Sequence, residues 1–316
     1  MRSAPIRGPS DFPRLAFVAT LLDVRIGLPV EVIPDHHLRR ASEVEIASIR
    51  ESLEHREPVA GSLWYEVVPS EHPGSFRRSD DPADWRYFVI EVGPNYKSAV
   101  NAGIGEVEEA AQLTETPIEC GFMFNTEGVR LVVGIGARNV LDTVPMAAIH
   151  GSIGVVDRGW LDEMRDLHRR IGETGAEYPD IARAIDSLNR LRGIERGTPL
   201  RVLGLFAIME SLITHDPHDK YDSLSHQIRS KMKLLGRRFR KRLSYEPIGN
   251  MPVETVWNKL YSVRSSIAHG GQLTFTGNLK VLTNLEVVER FSFSATRSVL
   301  QQALVEPELI LDLREC

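Results

Sequence analysis

Apolar positions recur along this chain with two different periods, and the change from one to the other divides it. In the first half the period is short. Runs rich in β-branched and aromatic residues at 14–24, 62–69, 86–92, 120–126 and 130–135 are bounded by Pro, Gly, Asn and Asp, so each predicts a strand. Two helices interrupt them. Ser42 and Glu45 have capping-box spacing, with Ile46, Ile49 and Leu53 following on one face, and a second helix is expected near 104–114. Around 150–158 the period lengthens to that of a helix. Leu161, Met164, Leu167 and Ile171 share a face of 160–171; Ile181, Ile185, Leu188 and Leu191 share one of 180–194. Residues 200–213 are apolar nearly all round after Arg201, the mark of a helix at the centre of a bundle.

A fourth helix is expected at 222–243, with Leu224, Ile228, Leu235 and Phe239 inward. A fifth starts at Pro252, carries Val256, Leu260, Val263 and Ile267 on one face, and stops at Gly270-Gly271. A last helix is expected at 283–304, and the tail 305–316 reads as one further short turn. Short polar connections predict antiparallel neighbours. The fold class that follows is α+β: a mixed α/β domain over 1–152, its sheet open to mixed pairing, then an all-α helical bundle over 153–316.

Composition narrows the partners. The chain has 316 residues, 42% of them hydrophobic and 26% charged, enough to bury ordinary cores. The net charge of −5 argues against a general nucleic-acid binder, so any attraction to RNA must come from a local patch. Two cysteines, Cys120 and Cys316, lie far apart without metal-ligand spacing, which fits a reducing cytoplasm. The apolar run 15–22 is too short to span a membrane and reads as a strand, so no membrane partner is expected.

Chemistry in the first half is sparse. Gly103-Ile104-Gly105 and Gly134-Ile135-Gly136 lack the third glycine of a dinucleotide site and read as turns. His36-His37 follows Pro34-Asp35 and reads as a solvated loop. Asp80, Asp81 and Asp84 read as a helix start within a long polar loop, 70–85. The domain's role is recognition, or cover for the helical half. In the second half His215, His218 and His226 lie among Asp216, Asp219 and Asp222 with irregular spacing, better suited to caps and turns than to a metal.

Two features stand out. The segment 229–242 carries Arg229, Lys231, Lys233, Arg237, Arg238, Arg240, Lys241 and Arg242 with no acid between them, a candidate phosphate-backbone track or a solvated helix face pairing with acidic residues of the other domain. The last turns of the fifth helix hold Arg264 and His269, five apart and about 140° round a helix from one another. A guanidinium grips phosphate oxygens in a planar fork. An imidazole trades protons near neutral pH, and RNA brings its own nucleophile in the 2′-hydroxyl. Both side chains also favour a helix C-terminus through the dipole alone. Glu210, alone among the apolar residues of 200–213, needs a partner, and Arg264 is the expected one, as orienter or as a purely structural pair, the alternative being an exposed rim position.

The segments LGLFAIMESLI (203–213) and LYSVRSSIAHGG (260–271) resemble the HEPN superfamily, and most closely its Apea-like branch, over roughly 155–305. The resemblance implies an R-x4-6-H motif on a late helix of an all-α bundle, with Arg264 and His269 catalytic and Ser265 and Tyr261 as secondary contacts. It implies a metal-independent endoribonuclease without a cofactor, acting in antiviral defence or a toxin system. The motif helices would pair in a homodimer, with a regulatory protein as a further partner. Many active members carry Asn or Asp directly after the motif Arg; this chain has Ser265. The alternative is a catalytically silent module that binds a nucleotide, RNA or protein.

Overall fold

Every side chain of Leu15–Val18 (β1) is buried, and a strand buried on both faces needs neighbours on each side and cover above and below. It lies inside a six-stranded sheet with Val30–Ile33 (β3), His36–Arg40 (β4), Phe88–Val92 (β7), Cys120–Phe124 (β8) and Val133–Gly134 (β9), in the order β3-β4-β7-β1-β8-β9. Every pairing in it is antiparallel. Among the described residues, parallel pairing is confined to a separate two-stranded sheet of Leu22–Val24 (β2) and Gly154–Val156 (β10). The expected strand 14–24 is therefore two strands that join different sheets. Val67–Pro69 (β5), the end of the expected strand 62–69, pairs antiparallel with Phe76–Arg78 (β6), which lies inside what reads in the sequence as a polar loop. The computed structural model describes residues 14–56, 65–69, 76–94, 96, 100–124, 133–134, 153–217, 223–249 and 251–316. Expectations for 62–64, 70–75, 125–132 and 135–136, and for His218, Asp219 and Asp222, lie outside the described residues.

Among the described residues two α-helices accompany the sheet. In Glu43–Arg56 (α1) the capping box is formed: the Ser42 N–H donates to Glu45 Oε2 at 2.7 Å, and the Glu45 N–H to Ser42 Oγ at 3.4 Å. Ile49 and Leu53 of α1 join Leu15, Phe17, Tyr65, Tyr87 and Phe122 in one core. Val100–Gln112 (α2) packs on β7 with Ile104, Val107 and Ala111 buried. Glu66 is wholly buried and answered on all sides. It accepts from Arg50 Nε at 2.6 Å, from Arg78 Nε and Nη2 at 3.0 and 2.8 Å, and from the Tyr87 hydroxyl at 2.8 Å. Burial first, then Glu66, pushes the Tyr87 hydroxyl far above its ordinary value.

His36 corrects the sequence reading. The dipeptide His36-His37 lies in β4, not in a solvated loop, and His36 is fully buried. Its Nδ1 lies 2.8 Å from the Pro34 carbonyl, its ring meets Tyr96 edge-on at 4.7 Å, and burial lowers its pKa. A side chain at Gly103 would meet His36 Nε2 at 2.3 Å, so that glycine sits in α2 to admit the imidazole, not to make a turn. Asp81 does start a helical turn, accepting the Ala83 N–H at 2.8 Å.

The chain divides into two compact units, Met1–His168 and Arg169–Cys316. The division falls within the helix Arg158–Glu177 (α3), past the change of period near 152. Its first turns belong to the amino-terminal unit: Trp160 Nε1 donates to Thr114 Oγ1 at 3.0 Å, and Arg165 reaches the Glu31 carbonyl. The second unit is all-helical among its described residues from Pro179 on: Pro179–Leu191 (α4), Pro199–Ile213 (α5), Leu224–Leu235 (α6), Val253–Ala268 (α7), Leu285–Val305 (α8) and Pro307–Glu315 (α9), with short 3-10 turns at Glu246–Ile248 and Gly277–Leu282. The tail is thus a full nine-residue helix with Pro307 in its first turn.

Helix α5 is the hub. It packs against α4, α6, α7, α8 and α9 and buries Val202, Leu205, Phe206, Met209, Leu212 and Ile213. Arg201 is buried at its start, donating to the Leu191 and Ile194 carbonyls at 3.0 and 2.9 Å and pairing with Glu289 of α8 at 2.8 Å. Both side chains are at most a tenth exposed. Replacing Glu289 with Leu alone would strand a buried cation and lower the unfolding free energy by about 3–5 kcal/mol. Adding Arg201→Met should recover part of that loss. Urea unfolding of the two variants checks both; a single variant as stable as the parent would show that the pair carries no weight.

Candidate functional site

Helix α7 exists because Val256, Trp257, Leu260 and Val263 recur on one face, and all four are buried. Trp257 anchors it: the ring lies 5.8 Å from Phe291 of α8, and Nε1 donates to the Tyr245 hydroxyl at 3.2 Å. The helix closes on His269 as its C-cap. Gly270 follows with φ +69°, and its N–H donates to the Ile267 carbonyl at 3.1 Å. The Gly271 N–H donates to the Ser266 carbonyl at 2.8 Å, completing a Schellman closure. The glycine pair therefore fixes the backbone that carries His269.

Arg264 is held from α5. Its Nε donates to Glu210 Oε1 at 2.9 Å and its Nη2 to Glu210 Oε2 at 2.7 Å, a two-pronged pair with side chains 23% and 13% exposed. Tyr261, one turn back, places its ring 5.6 Å below the guanidinium and meets Phe206 of α5 edge-on. Glu210 is the main cause holding Arg264 more firmly protonated than usual. Burial first, and Glu210 second, pushes the Tyr261 hydroxyl upward. A guanidinium has five N–H groups. Glu210 takes two along one edge, and no protein group among the described residues takes the three on the Nη1 and Nη2 ends. Arg264 is thus clamped on one edge and open on the next.

His269 is exposed, and its imidazole makes no hydrogen bond among the described residues; none joins it to Arg264. Ser265 is half-buried and bonds His269 through its backbone, its carbonyl accepting the His269 N–H at 3.1 Å. The structure therefore joins Arg264, Glu210 and Tyr261 by side-chain contact and connects Ser265 and His269 through the helix end alone.

The basic segment differs from its sequence reading. Helix α6 stops at Leu235, capped by Gly236, and 237–242 is not helical. Lys231 is buried rather than on the outer face. Lys233 pairs with Glu254 at 2.5 Å, and Arg238 grips both carboxylate oxygens of Glu306 at 3.0 and 2.9 Å. Arg229 donates to Asn258 Oδ1 at 3.3 Å and meets His226 Nδ1 at 2.8 Å. Four residues forward on α6, from 229 to 233, is four residues back on α7, from 258 to 254, so the two helices run antiparallel. That register puts the end of α6, and Arg237 directly after it, beside the start of α7, about 15 Å along its axis from Arg264. Arg240 and Lys241 are exposed in the same segment. Near the start of α6, Ser223 caps the helix, its Oγ accepting the His226 N–H at 3.3 Å, and His215 Nδ1 lies 2.9 Å from the Asp216 carbonyl; these histidines serve turns and caps.

Glu254 and Glu306, which neutralise part of the basic run, are missed by sequence reasoning. The i,i+4 spacing of Arg229 and Lys233 could have suggested an antiparallel partner, but nothing local points to residue 306. Among the described residues no helix is long and apolar enough to cross a membrane, and no three His, Cys, Asp or Glu side chains form a group able to hold a metal ion. Compared with known proteins, the chain matches no family model, no curated sequence and no solved structure.

Removing either support should be measurable in thermal unfolding. Glu210→Ala leaves a part-buried cation unanswered and should lower stability by about 2 kcal/mol. Gly270→Ala forces a side chain into the left-handed region and should cost about 1 kcal/mol. A Glu210→Ala protein that melts with the parent would mean that Arg264 finds another anion.

Proposed function

We propose that this chain is a metal-independent endoribonuclease of the HEPN kind, with Arg264 and His269 as its catalytic pair. The observation that carries this reading is the state of Arg264: one edge is fixed by Glu210 and the other lies open at a helix end that also presents an exposed imidazole. An open Nη1–Nη2 edge fits two oxygens of a phosphodiester. In the reaction, His269 takes the proton from a ribose 2′-hydroxyl, and O2′ attacks the adjacent phosphorus. The bond from phosphorus to O5′ breaks, leaving a 2′,3′-cyclic phosphate and a 5′-hydroxyl once O5′ receives a proton. Arg264 stabilises the charge that gathers on the non-bridging oxygens. Glu210 and Tyr261 position the guanidinium, and Ser265 lines the approach.

In-line attack sets O2′ and O5′ on opposite sides of phosphorus, so the imidazole that takes the 2′ proton is not placed to protonate O5′. A second copy, facing the first across a two-fold axis through α7, would supply the acid. An RNase of this kind harms its own cell unless controlled, which fits antiviral defence or a toxin system with a regulatory partner. The second reading, a silent binding module, is favoured by one observation: the Glu210–Arg264 pair is also what a purely structural helix contact looks like.

Incubating the protein with cellular RNA in excess chelator should release fragments ending in 2′,3′-cyclic phosphate. His269→Ala should slow cleavage by about 10²–10⁴-fold, the range for a general acid–base group. Arg264→Lys keeps the charge but loses the fork, and should lower the rate by about 10²-fold or more. RNA bound without cleavage, or cleavage that survives His269→Ala, sends the assignment to the silent module or to another site.

A further inference from the structure

Eight basic residues in 229–242 shrink to far fewer available charges once their partners are counted. Lys231 is buried, and Lys233 and Arg238 are neutralised by Glu254 and Glu306. Arg237 and Arg242 are exposed, and no acidic or polar side chain among the described residues answers either. They sit with Arg240 and Lys241 in a segment six residues long. The segment is not a loose tail. The N–H groups of Arg237 and Arg238 donate to the Leu234 and Leu235 carbonyls at 3.2 and 2.8 Å, and that of Phe239 to Leu235 at 3.0 Å. The Phe239 ring is buried, 8% exposed, and Arg238 is tied to Glu306, so the chain is pinned between its cations. Like charges held this close on a rigid turn repel one another, and a polyanion relieves that repulsion. The antiparallel register of α6 and α7 sets Arg237, directly after α6, beside the end of α7 opposite to His269, about 15 Å from Arg264 along the helix axis.

We infer that the 237–242 turn is a distal phosphate-binding surface for the same RNA strand that Arg264 and His269 cut, separated from the cut by several nucleotides. The inference rests on the nuclease reading for its substrate, but its geometry does not depend on it. A strand crossing the α6–α7 seam meets the open Arg264 edge at one end and Arg237, with the exposed Arg242 five residues on, at the turn that follows α6. Such contacts touch phosphate, not base edges, so the surface selects single-stranded length and charge without selecting sequence. RNA too short to reach the turn binds through the motif end alone.

The test uses the full chain and fluorescein-labelled oligouridylates of increasing length, with cleavage followed for KM and anisotropy for Kd. For the parent protein KM and Kd should fall with length until the strand reaches the turn, then level off. Arg237→Glu with Arg242→Glu should erase that length dependence, and the salt slope of log Kd on long oligomers should flatten by about 0.7 for each phosphate no longer neutralised. Arg237→Gln with Arg242→Gln, less disruptive to folding, should give the same pattern in weaker form. A length dependence and salt slope untouched by either pair overturns the inference. If His269-dependent cleavage is present in that case, only the distal surface fails. If nothing is cleaved but the length-dependent, charge-dependent binding is seen, the surface stands and the nuclease reading fails.

Discussion

A helix that is apolar nearly all round cannot carry a charge inward unless another helix answers it. Helix α5 carries two, Arg201 near its start and Glu210 near its end, and their partners come from two different helices, Glu289 on α8 and Arg264 on α7. Hydrophobic packing alone tolerates sliding and rotation, because one Leu replaces another at small cost. Paired charges in a low-dielectric setting do not, since each misplacement leaves an ion unanswered. The two pairs therefore fix the rotation and height of α7 and α8 against their hub. The open guanidinium edge at the candidate site is a by-product of that requirement: Glu210 takes Nε and one N–H of Nη2, and the remaining N–H groups have no protein partner among the described residues.

The same logic recurs in the amino-terminal unit. Glu66 has no exposure, yet it gathers Arg50, Arg78 and the Tyr87 hydroxyl round one carboxylate. Arg50 also lies 4.4 Å over the Trp85 ring. A short hairpin, β5 with β6, is tied to the sheet core through this one side chain and the aromatic rings around it. In both units a buried carboxylate specifies contacts that apolar packing would leave open.

Much of this was legible from period and caps. The capping box at Ser42 and Glu45, the all-apolar 200–213 helix and the glycine stop after His269 are local signals, readable wherever backbone geometry is set by neighbours in sequence. The α+β class followed from the change of period. What failed depends on distant partners. His36 reads as loop because Pro34-Asp35 is a turn and two histidines look solvated; its burial follows from β7 pairing on one side and Gly103 on another. The fourth helix reads on to 243 because Phe239 keeps the helical phase, while Gly236 ends it seven residues earlier. Lys231 reads as surface because its long apolar stem, the part that packs, is invisible in a charge count. The basic track gives up part of its charge to Glu254 and Glu306, whose proximity only the fold supplies. The Glu210–Arg264 contact lies between the two classes: the need for a counter-charge was evident, and its geometry was not.

The fit of His36 against Gly103 also bears on how this sequence can drift. Nε2 occupies the space that a methyl group at 103 would need, so the two positions form one volume shared between a strand and a helix. An alanine at 103 becomes tolerable only after 36 has shrunk and the Tyr96 ring, whose Cζ would lie 2.8 Å from it, has shifted, and a smaller residue at 36 opens a void that a larger 103 refills. In any set of orthologues the pair should change in step, with the histidine and the glycine kept or replaced together.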